Sequence, residues 1–364
     1  MQLPVDITEL LDEATNLEAA RKTPLSVSVY IDDSAPADLT AHVRKSFASE
    51  LATVRLTLSY LGDRPASVCP TDDAAIIVAG SSDVVGPSAA AIRSAGVPVM
   101  VCATQPARVE LIAAAASAPI PEGDLVVPSD PERTIVKNVC KVVSRVVPKQ
   151  AADMTKGLSG MMHAAQITEE EAMADPMPLD DEAAAALDMR MGEWIAVVCR
   201  SKRLAFALAF PFVRKPLALE AVSETALQNA GVGLVPFLKA ADMPIMTLNQ
   251  AKMVLQIAAA YGRPMGMERA KEILAVVGGA FGCRSIARTA VGYVPALGGV
   301  IRAGVGFGGT EAMGRAVIEY FEGGENVAGV TRVVEKAATL AGEAASQVRD
   351  RVAEVRSMET KPVA

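Results

Sequence analysis

Between Leu25 and about Lys149, short apolar runs rich in Val, Ile and Leu alternate with longer segments in which Ala, Val and charged residues recur at helical spacing. Strand-type runs alternating with helical segments have the rhythm of a parallel sheet with crossover helices. The strands are expected at Leu25 to Ile31, Leu56 to Tyr60, Ala75 to Ala79, Val97 to Cys102 and Leu125 to Val127. Gly96 ends one helix ahead of the Val97 strand, while Asp130 and Pro131 form an N-cap and first-turn pair for another that Pro148 closes. The expected fold of this part is a doubly wound, Rossmann-like α/β domain.

The pattern changes after residue 150. Met154, Met161, Met162 and Met173 accompany the acidic runs Glu169–Glu171 and Asp180–Glu182, and Thr168 with Glu171 has the spacing of a capping box, which predicts a partly helical connector. From Met191 onward helix signals dominate. Thr247 with Gln250 predicts a helix start leading through Ala258–Ala260 to Gly262, and a further helix is expected over Glu311 to Phe321. Val334, Ala337, Ala341, Ala344, Val348, Val352 and Val355 fall at three- and four-residue steps, predicting an amphipathic tail helix, laid on its own domain or on a partner. The expected class is α/β plus all-α: an N-terminal helical segment (1–24), the α/β domain (25–149), the connector (150–190), a helical domain (191–324) and the tail helix (325–364).

Composition narrows the function. The chain has 364 residues, of which 51% are hydrophobic but only 4% aromatic, so Ala, Val, Leu, Met and Gly carry the apolar content. A net charge of −7 gives no global basic field and argues against nucleic-acid binding as the main task. The five cysteines, Cys69, Cys102, Cys140, Cys199 and Cys283, are scattered without a C-x-x-C pair, which reads as reduced thiols in a cytosolic compartment. Met1 to Asp6 lacks the basic and apolar regions of a signal peptide, and the protein is expected to face the cytosol.

The order of elements in 25–148 resembles the core of P-loop GTPases, and the comparison can be made by residue. Such a protein needs G-x-x-x-x-G-K-[ST] after the first strand, because backbone N–H groups cradle the phosphates and the lysine neutralises them. Here Tyr30-Ile31 runs into Asp32-Asp33-Ser34-Ala35-Pro36-Ala37-Asp38-Leu39-Thr40, with neither glycine nor lysine. Ala103-Thr104-Gln105-Pro106 stands where the guanine-reading N-K-x-D should follow a later strand. The domain is therefore expected to be a degenerate, nucleotide-free relative of a GTPase or a Rossmann-like module of another lineage. Asp32, Asp33 and Asp38 read as a solvated loop with a helix N-cap; a carboxylate site for Mg²⁺ or Ca²⁺ is the alternative, without regular ligand spacing.

Asn229-Ala230-Gly231-Val232-Gly233, Ala241 to Ala258 and Tyr261-Gly262 form a distinctive series, continued by Tyr293-Val294-Pro295, Gly309-Thr310, Gly314-Arg315-Ala316 and Tyr320-Phe321. This series resembles the domain of unknown function 697 family, which includes YcjF-like bacterial inner-membrane proteins and is sometimes fused to GTPase domains. The resemblance covers Arg200 to Gly324, about a third of the chain. It implies membrane association and brings no catalytic residues.

A spanning helix needs about 20 apolar residues, and the longest charge-free run of the glycine-rich region, Thr289 to Ile301, stops at Arg302. Including that arginine costs about 3 kcal/mol on insertion scales. An interfacial contact is the better expectation. The apolar stretch Leu204 to Val213 is flanked by Arg200, Lys202 and Arg203 on one side and by Arg214 and Lys215 on the other, a basic rim suited to an anionic bilayer surface. A buried helix with solvated ends is the alternative. The pairs Gly278 with Gly282 and Gly304 with Gly308 would allow close helix approach in either setting.

Three patterns carry less. Gly304-Val305-Gly306-Phe307-Gly308-Gly309 matches G-x-G-x-x-G but lacks a preceding strand and the ribose-binding acid. Ser159 with His163 lacks the strand and the second glycine of a nucleophile elbow, and His42 reads as a helix-surface residue. Asn229, Asp242, Asn249 and Gln250 are polar groups in an apolar neighbourhood, explained first by intramolecular caps and hydrogen bonds and alternatively by a partner or ligand pocket.

The functional expectation is a non-enzymatic protein at the cytoplasmic face of a bacterial inner membrane, without cofactor or metal, open to homo-oligomer formation. Its α/β domain would serve as a protein-interaction or regulatory module. The alternative is a soluble sensor binding a small effector at the carboxyl ends of its strands.

Overall fold

A computed structural model describes residues 7–128, 167–234, 242–263 and 298–323. The expected helix from Asp130 to Pro148, the methionines before 167, Ser159 with His163, the Gly278–Gly282 pair and the tail helix lie outside the described residues. The chain divides into two compact units. One comprises Lys22–Pro216, the other Met1–Arg21 with Leu217–Ala364.

Five parallel strands form the sheet of the first unit: β1 (Leu25–Asp32), β2 (Val54–Leu61), β3 (Ala74–Val78), β4 (Val99–Cys102) and β5 (Leu125–Val126). Their order is β2-β1-β3-β4-β5. This is a common doubly wound order, whose chain path reverses between β1 and β3 and whose ligands bind beyond the carboxyl ends of the strands at that switch point. All five expected strands are present, with ends shifted by one or two residues.

Helices cover the sheet on both faces. On one, α3 (Val85–Ser94) and α4 (Pro106–Ala115) pack through Val85, Ala89, Ile92, Val109 and Ala113 on Tyr30, Ile77, Val99, Val101 and Leu125. Pro106 in the first turn of α4 has no N–H to leave unpaired there. On the other, α2 (Ala37–Ser46) buries Leu39 and Val43, and α6 (Asp181–Val198) buries Leu187, Met191 and Ile195. The expected capping box is present: Thr168 Oγ1 accepts from the Glu171 N–H and Glu171 Oε2 from the Thr168 N–H, opening α5 (Glu169–Met173). Asp180 caps α6 by accepting from the Ala183 N–H at 2.8 Å.

The first unit extends well beyond the expected boundary at residue 190. α6, α7 (Arg203–Ala209) and the short 3-10 turn Pro211–Val213 belong to it. Phe206 and Phe210 are fully buried, and Phe210 meets Phe47 edge-on with ring centroids 5.0 Å apart. Residues 191–216 thus complete the apolar layer beneath α2.

The second unit contains α1 (Ile7–Arg21), most of α8 (Arg214–Leu234), α9 (Asp242–Ala260) and α10 (Gly298–Glu322). Arg21 ties α1 to the end of α9, donating from Nη1 to the Arg263 carbonyl at 2.7 Å and from Nη2 to that of Gly262 at 3.2 Å. Lys252 pairs with Glu9 at 2.6 Å. The N-terminal segment is therefore part of the helical unit rather than a separate one. Gly314 lets α10 approach α8, since a Cβ there would lie 2.2 Å from Val222 Cγ2.

One expected feature is corrected. α9 begins at Asp242, so Thr247 is an internal, buried residue and not a cap. The helix expected from Glu311 starts at Gly298, and Gly304 to Gly309 are internal to it, in keeping with the G-x-G-x-x-G pattern being no dinucleotide turn.

Candidate functional site

The crest of the sheet at the β1/β3 switch point is where a fold of this order receives a ligand, and here the chain fills it with its own groups. β1 ends at Asp32, which is 2% exposed. Its Oδ2 accepts from the Gly80 N–H at 2.8 Å and the Ser82 N–H at 3.3 Å, both in the loop after β3. Oδ1 accepts from the Ser34 N–H at 3.1 Å, and the Ser34 hydroxyl donates to Oδ2 at 3.0 Å. Ser34 Oγ in turn accepts from the Ser81 N–H at 2.7 Å. Amides converging on one point are the usual anion receptor of such loops; in this chain a side-chain carboxylate is the anion.

The approach of the two loops requires glycine at position 80. A Cβ there would stand 2.3 Å from the backbone carbon of Ser34. The expectation of a solvated aspartate loop is therefore corrected for Asp32, whose carboxylate is buried because backbone N–H groups replace its water. Asp33 is exposed, and the N-cap of α2 is Pro36. Asp38, in the first turn of α2, accepts from Leu39 N–H on one oxygen and from Leu179 N–H, 3.2 Å away, on the other. Among the described residues no group of His, Cys, Asp and Glu has the arrangement to hold a metal ion.

Leu179 belongs to a strap across this crest. Gln105 Nε2 donates to the Ala174 carbonyl at 2.7 Å, and Met177 N–H donates to the Thr104 carbonyl at 3.1 Å. Residues 174–179 thereby run from the loop after β4 to the start of α2. Pro176 and Pro178 suit this extended course, since neither has an N–H to satisfy. Thr104 Oγ1 and Ser82 Oγ are buried on the same crest without a hydrogen-bond partner.

Beside the crest a groove of about 270 Å³ lies between α2 and β2, lined by Ile31, Asp33, Ala37, Thr40, Ala41, Arg44 and Tyr60 among others. It offers an apolar floor, a cation and a phenol.

His42, Ser46 and Asp188 form a constellation that sequence spacing did not reveal. His42 Nε2 is 2.8 Å from Asp188 Oδ1, to which the Ser46 hydroxyl also donates at 2.9 Å. A nucleophilic triad places the imidazole between serine and carboxylate, one nitrogen to each. Here Nε2 faces both, Ser46 Oγ being 3.4 Å away, so the cluster joins α2 to α6 without presenting an activated serine. His42 is accordingly half-buried between helices and not a simple surface residue.

A second polar cluster lies at the opposite end of β1 and β2. Asp72 accepts from the Ser26 and Ser28 hydroxyls, each at 2.5 Å, and from Arg55 Nη2 at 3.1 Å. The same Arg55 nitrogen is 3.1 Å from Cys69 Sγ. Bonds from Thr71 and from Arg55 hold the Cys69 thiol below the usual thiol range. Burial does the reverse to Cys102 and Cys199, each pushed up to about 12.

Of the basic rim, Lys202 pairs with Asp73 at 2.8 Å and donates to the Pro24 carbonyl, and Arg214 Nε donates to the Ala207 carbonyl at 3.3 Å. Arg200 and Lys215 are exposed and Arg203 is half-buried. The apolar stretch they flank is turned inward: Leu204, Phe206, Phe210 and Val213 are buried. Among the described residues no helix is long and apolar enough to cross a membrane.

Asn229, Asn249 and Gln250 are brought together, with Thr310 as their hub. Asn229 Nδ2 and Gln250 Nε2 donate to Thr310 Oγ1 at 2.9 and 3.0 Å, and Asn249 Nδ2 donates to Asn229 Oδ1 at 3.0 Å. This buried staple links α8, α9 and α10; Asp242 begins α9, apart from the cluster in sequence. The polar residues answer one another across a helix interface, as caps and hydrogen bonds inside an apolar unit must.

Comparison of the chain with protein-family models, curated proteins and solved structures finds no match.

Proposed function

We propose that the α/β unit is a degenerate, nucleotide-free relative of nucleotide-binding folds, serving as a protein-interaction or regulatory module in a non-enzymatic protein at the cytoplasmic face of a membrane. The observation that carries this reading is the Asp32 carboxylate, which takes the Gly80, Ser82 and Ser34 amides a phosphate would need. A phosphate entering that position would meet a buried anion and find its donors engaged. The membrane part rests on the resemblance of Arg200 to Gly324 to YcjF-like proteins and on exposed Arg200 and Lys215.

Two measurements test it. ATP or GTP at millimolar concentration with Mg²⁺ is expected to leave the melting temperature unchanged, whereas a reproducible rise would overturn the nucleotide-free reading. The full chain is expected to float with vesicles containing anionic lipid and to be released by glutamate substitution of Arg200 and Lys215. Recovery wholly in the non-floating fraction would remove the membrane reading. Lys202 and Arg214 are unsuited to this test because each holds the fold.

The alternative of a small-effector sensor has its own support in Thr104 Oγ1 and Ser82 Oγ, two buried hydroxyls without partners on the ligand-receiving crest. A thermal-shift screen with common metabolites distinguishes it: a hit lost in Thr104→Val favours the sensor.

A further inference from the structure

β2 is an edge strand, hydrogen-bonded to β1 alone among the strands of the sheet. It is eight residues long, and its sequence Val-Arg-Leu-Thr-Leu-Ser-Tyr-Leu alternates apolar with polar residues, which gives it one apolar face. Alternate residues share a face, and Leu56, Leu58 and Tyr60 form one row, 36%, 39% and 61% exposed respectively. A long edge strand with an apolar face and an open ladder of N–H and C=O groups is a template for another strand, and monomeric proteins usually blunt it with charge, proline or a bulge. β2 carries one charge, Arg55, and no proline.

We propose that β2 pairs antiparallel with β2 of a second copy of this chain, about a twofold axis at Leu58, making one continuous ten-stranded sheet. The sequence is self-complementary in that register. Leu58 meets its own copy, and Leu56 meets Tyr60, so the exposed row becomes a set of cross-strand aliphatic and aromatic pairs. On the other face Thr57 meets Ser59, and Arg55 meets Leu61. Like charges never oppose each other. Arg55 is carried to the end of the partner strand that is followed by exposed Asp63 and lies next to exposed Asp33, so the strand's one cation approaches carboxylates.

The pairing also bears on the groove beside the crest. Tyr60 lines that groove together with Ile31, Ala37, Ala41 and Arg44. The register sets Leu56 of the second copy against Tyr60, closing the open side. A groove completed only by self-association gives the module two equivalent sites per dimer, as twofold symmetry requires.

The test is sedimentation velocity on the full chain from about 1 to 200 µM, a span suited to an interface at the small end of the stable range. A monomer–dimer equilibrium is expected for the natural sequence. Leu58→Lys and Leu58→Glu should each be monomeric, with unchanged circular dichroism because Leu58 is already partly exposed. Mixed in equal amounts, they should dimerise again, since the twofold sets Lys against Glu. Leu58→Cys should form an inter-chain disulfide on mild oxidation. Any of three results overturns the proposal: a monomeric natural sequence at 200 µM, dimers indifferent to Leu58→Lys, or loss of dimers by both variants without rescue on mixing. The last would mean that β2 is covered by something other than its own copy.

Discussion

Asp32 at the end of β1 and Gly80 after β3 are joined by a 2.8 Å hydrogen bond from the Gly80 N–H to Asp32 Oδ2, and this contact closes the switch point of the sheet. The two residues depend on each other: the carboxylate needs the amides to remain buried, and the amides come close enough only because position 80 has no side chain.

Asp32→Ala should lower stability by about 3 kcal/mol, because the Gly80 and Ser82 amides lose a charged acceptor in a place water does not reach. Asp32→Asn keeps one acceptor oxygen and should cost less. Gly80→Ala should cost about 2–3 kcal/mol by forcing the two loops apart. Urea unfolding monitored by circular dichroism measures all three, and a change below about 0.5 kcal/mol for Gly80→Ala would show that the loops do not meet as described.

The Thr310 hub is expected to be cooperative. Thr310→Val removes the acceptor of both Asn229 and Gln250 and should destabilise the helical unit by about 2 kcal/mol. Combined with Asn229→Leu, the loss should be smaller than the sum of the single losses, because the two residues share one bond. A double-mutant cycle on thermal or denaturant unfolding reads the coupling, expected in the range of about 0.5–3 kcal/mol.

Among the three described cysteines, iodoacetamide should modify Cys69 first in the folded protein. Its thiolate is favoured by Thr71 and Arg55, and its side chain is partly exposed, whereas Cys102 and Cys199 are buried. The alkylation rate of Cys69 should rise at lower pH than that of a free thiol, and Arg55→Ala should move the profile upward. Peptide mass spectrometry after timed labelling gives the order.

Alkali should destabilise the sheet unit through its buried thiols. Cys102 and Cys199 ionise near 9.0 when unfolded and are pushed up to about 12 in the fold by desolvation, so folding favours the protonated form. The stability this represents is complete below pH 9 and is lost as pH rises toward 12, at about 1.4 kcal/mol per pH unit for each thiol. Cys199→Ala should therefore flatten the fall of stability between pH 9 and 11, even though the variant is less stable at neutral pH. An unchanged slope would place Cys199 in contact with water.

The sequence by itself determined the five strands, because Ala75 to Ala79 is a continuous apolar run and Leu25 to Ile31 alternates Leu, Val and Ile with Ser26, Ser28 and Tyr30, patterns that suit strands and not helices. It determined the Thr168 box, whose two bonds close within four residues. It also showed that no phosphate loop follows β1. Local patterns failed where partners are distant in the chain. Thr247 has the spacing of a cap but is enclosed in α9, since burial against neighbouring helices outweighs a local preference. Leu204 to Val213 has the composition of a membrane wedge, yet Phe47, some 160 residues earlier, offers Phe210 an apolar neighbour and the stretch turns inward. Asp32 was visible where a phosphate loop would begin; its reach to Gly80, 48 residues on, was decided by the β1–β3 pairing. The exposure of Leu56, Leu58 and Tyr60 was decided by strand order, which places this apolar row at the rim of the sheet. Sequence carries what one segment can satisfy within itself, and the tertiary structure decides which groups, far apart along the chain, satisfy one another.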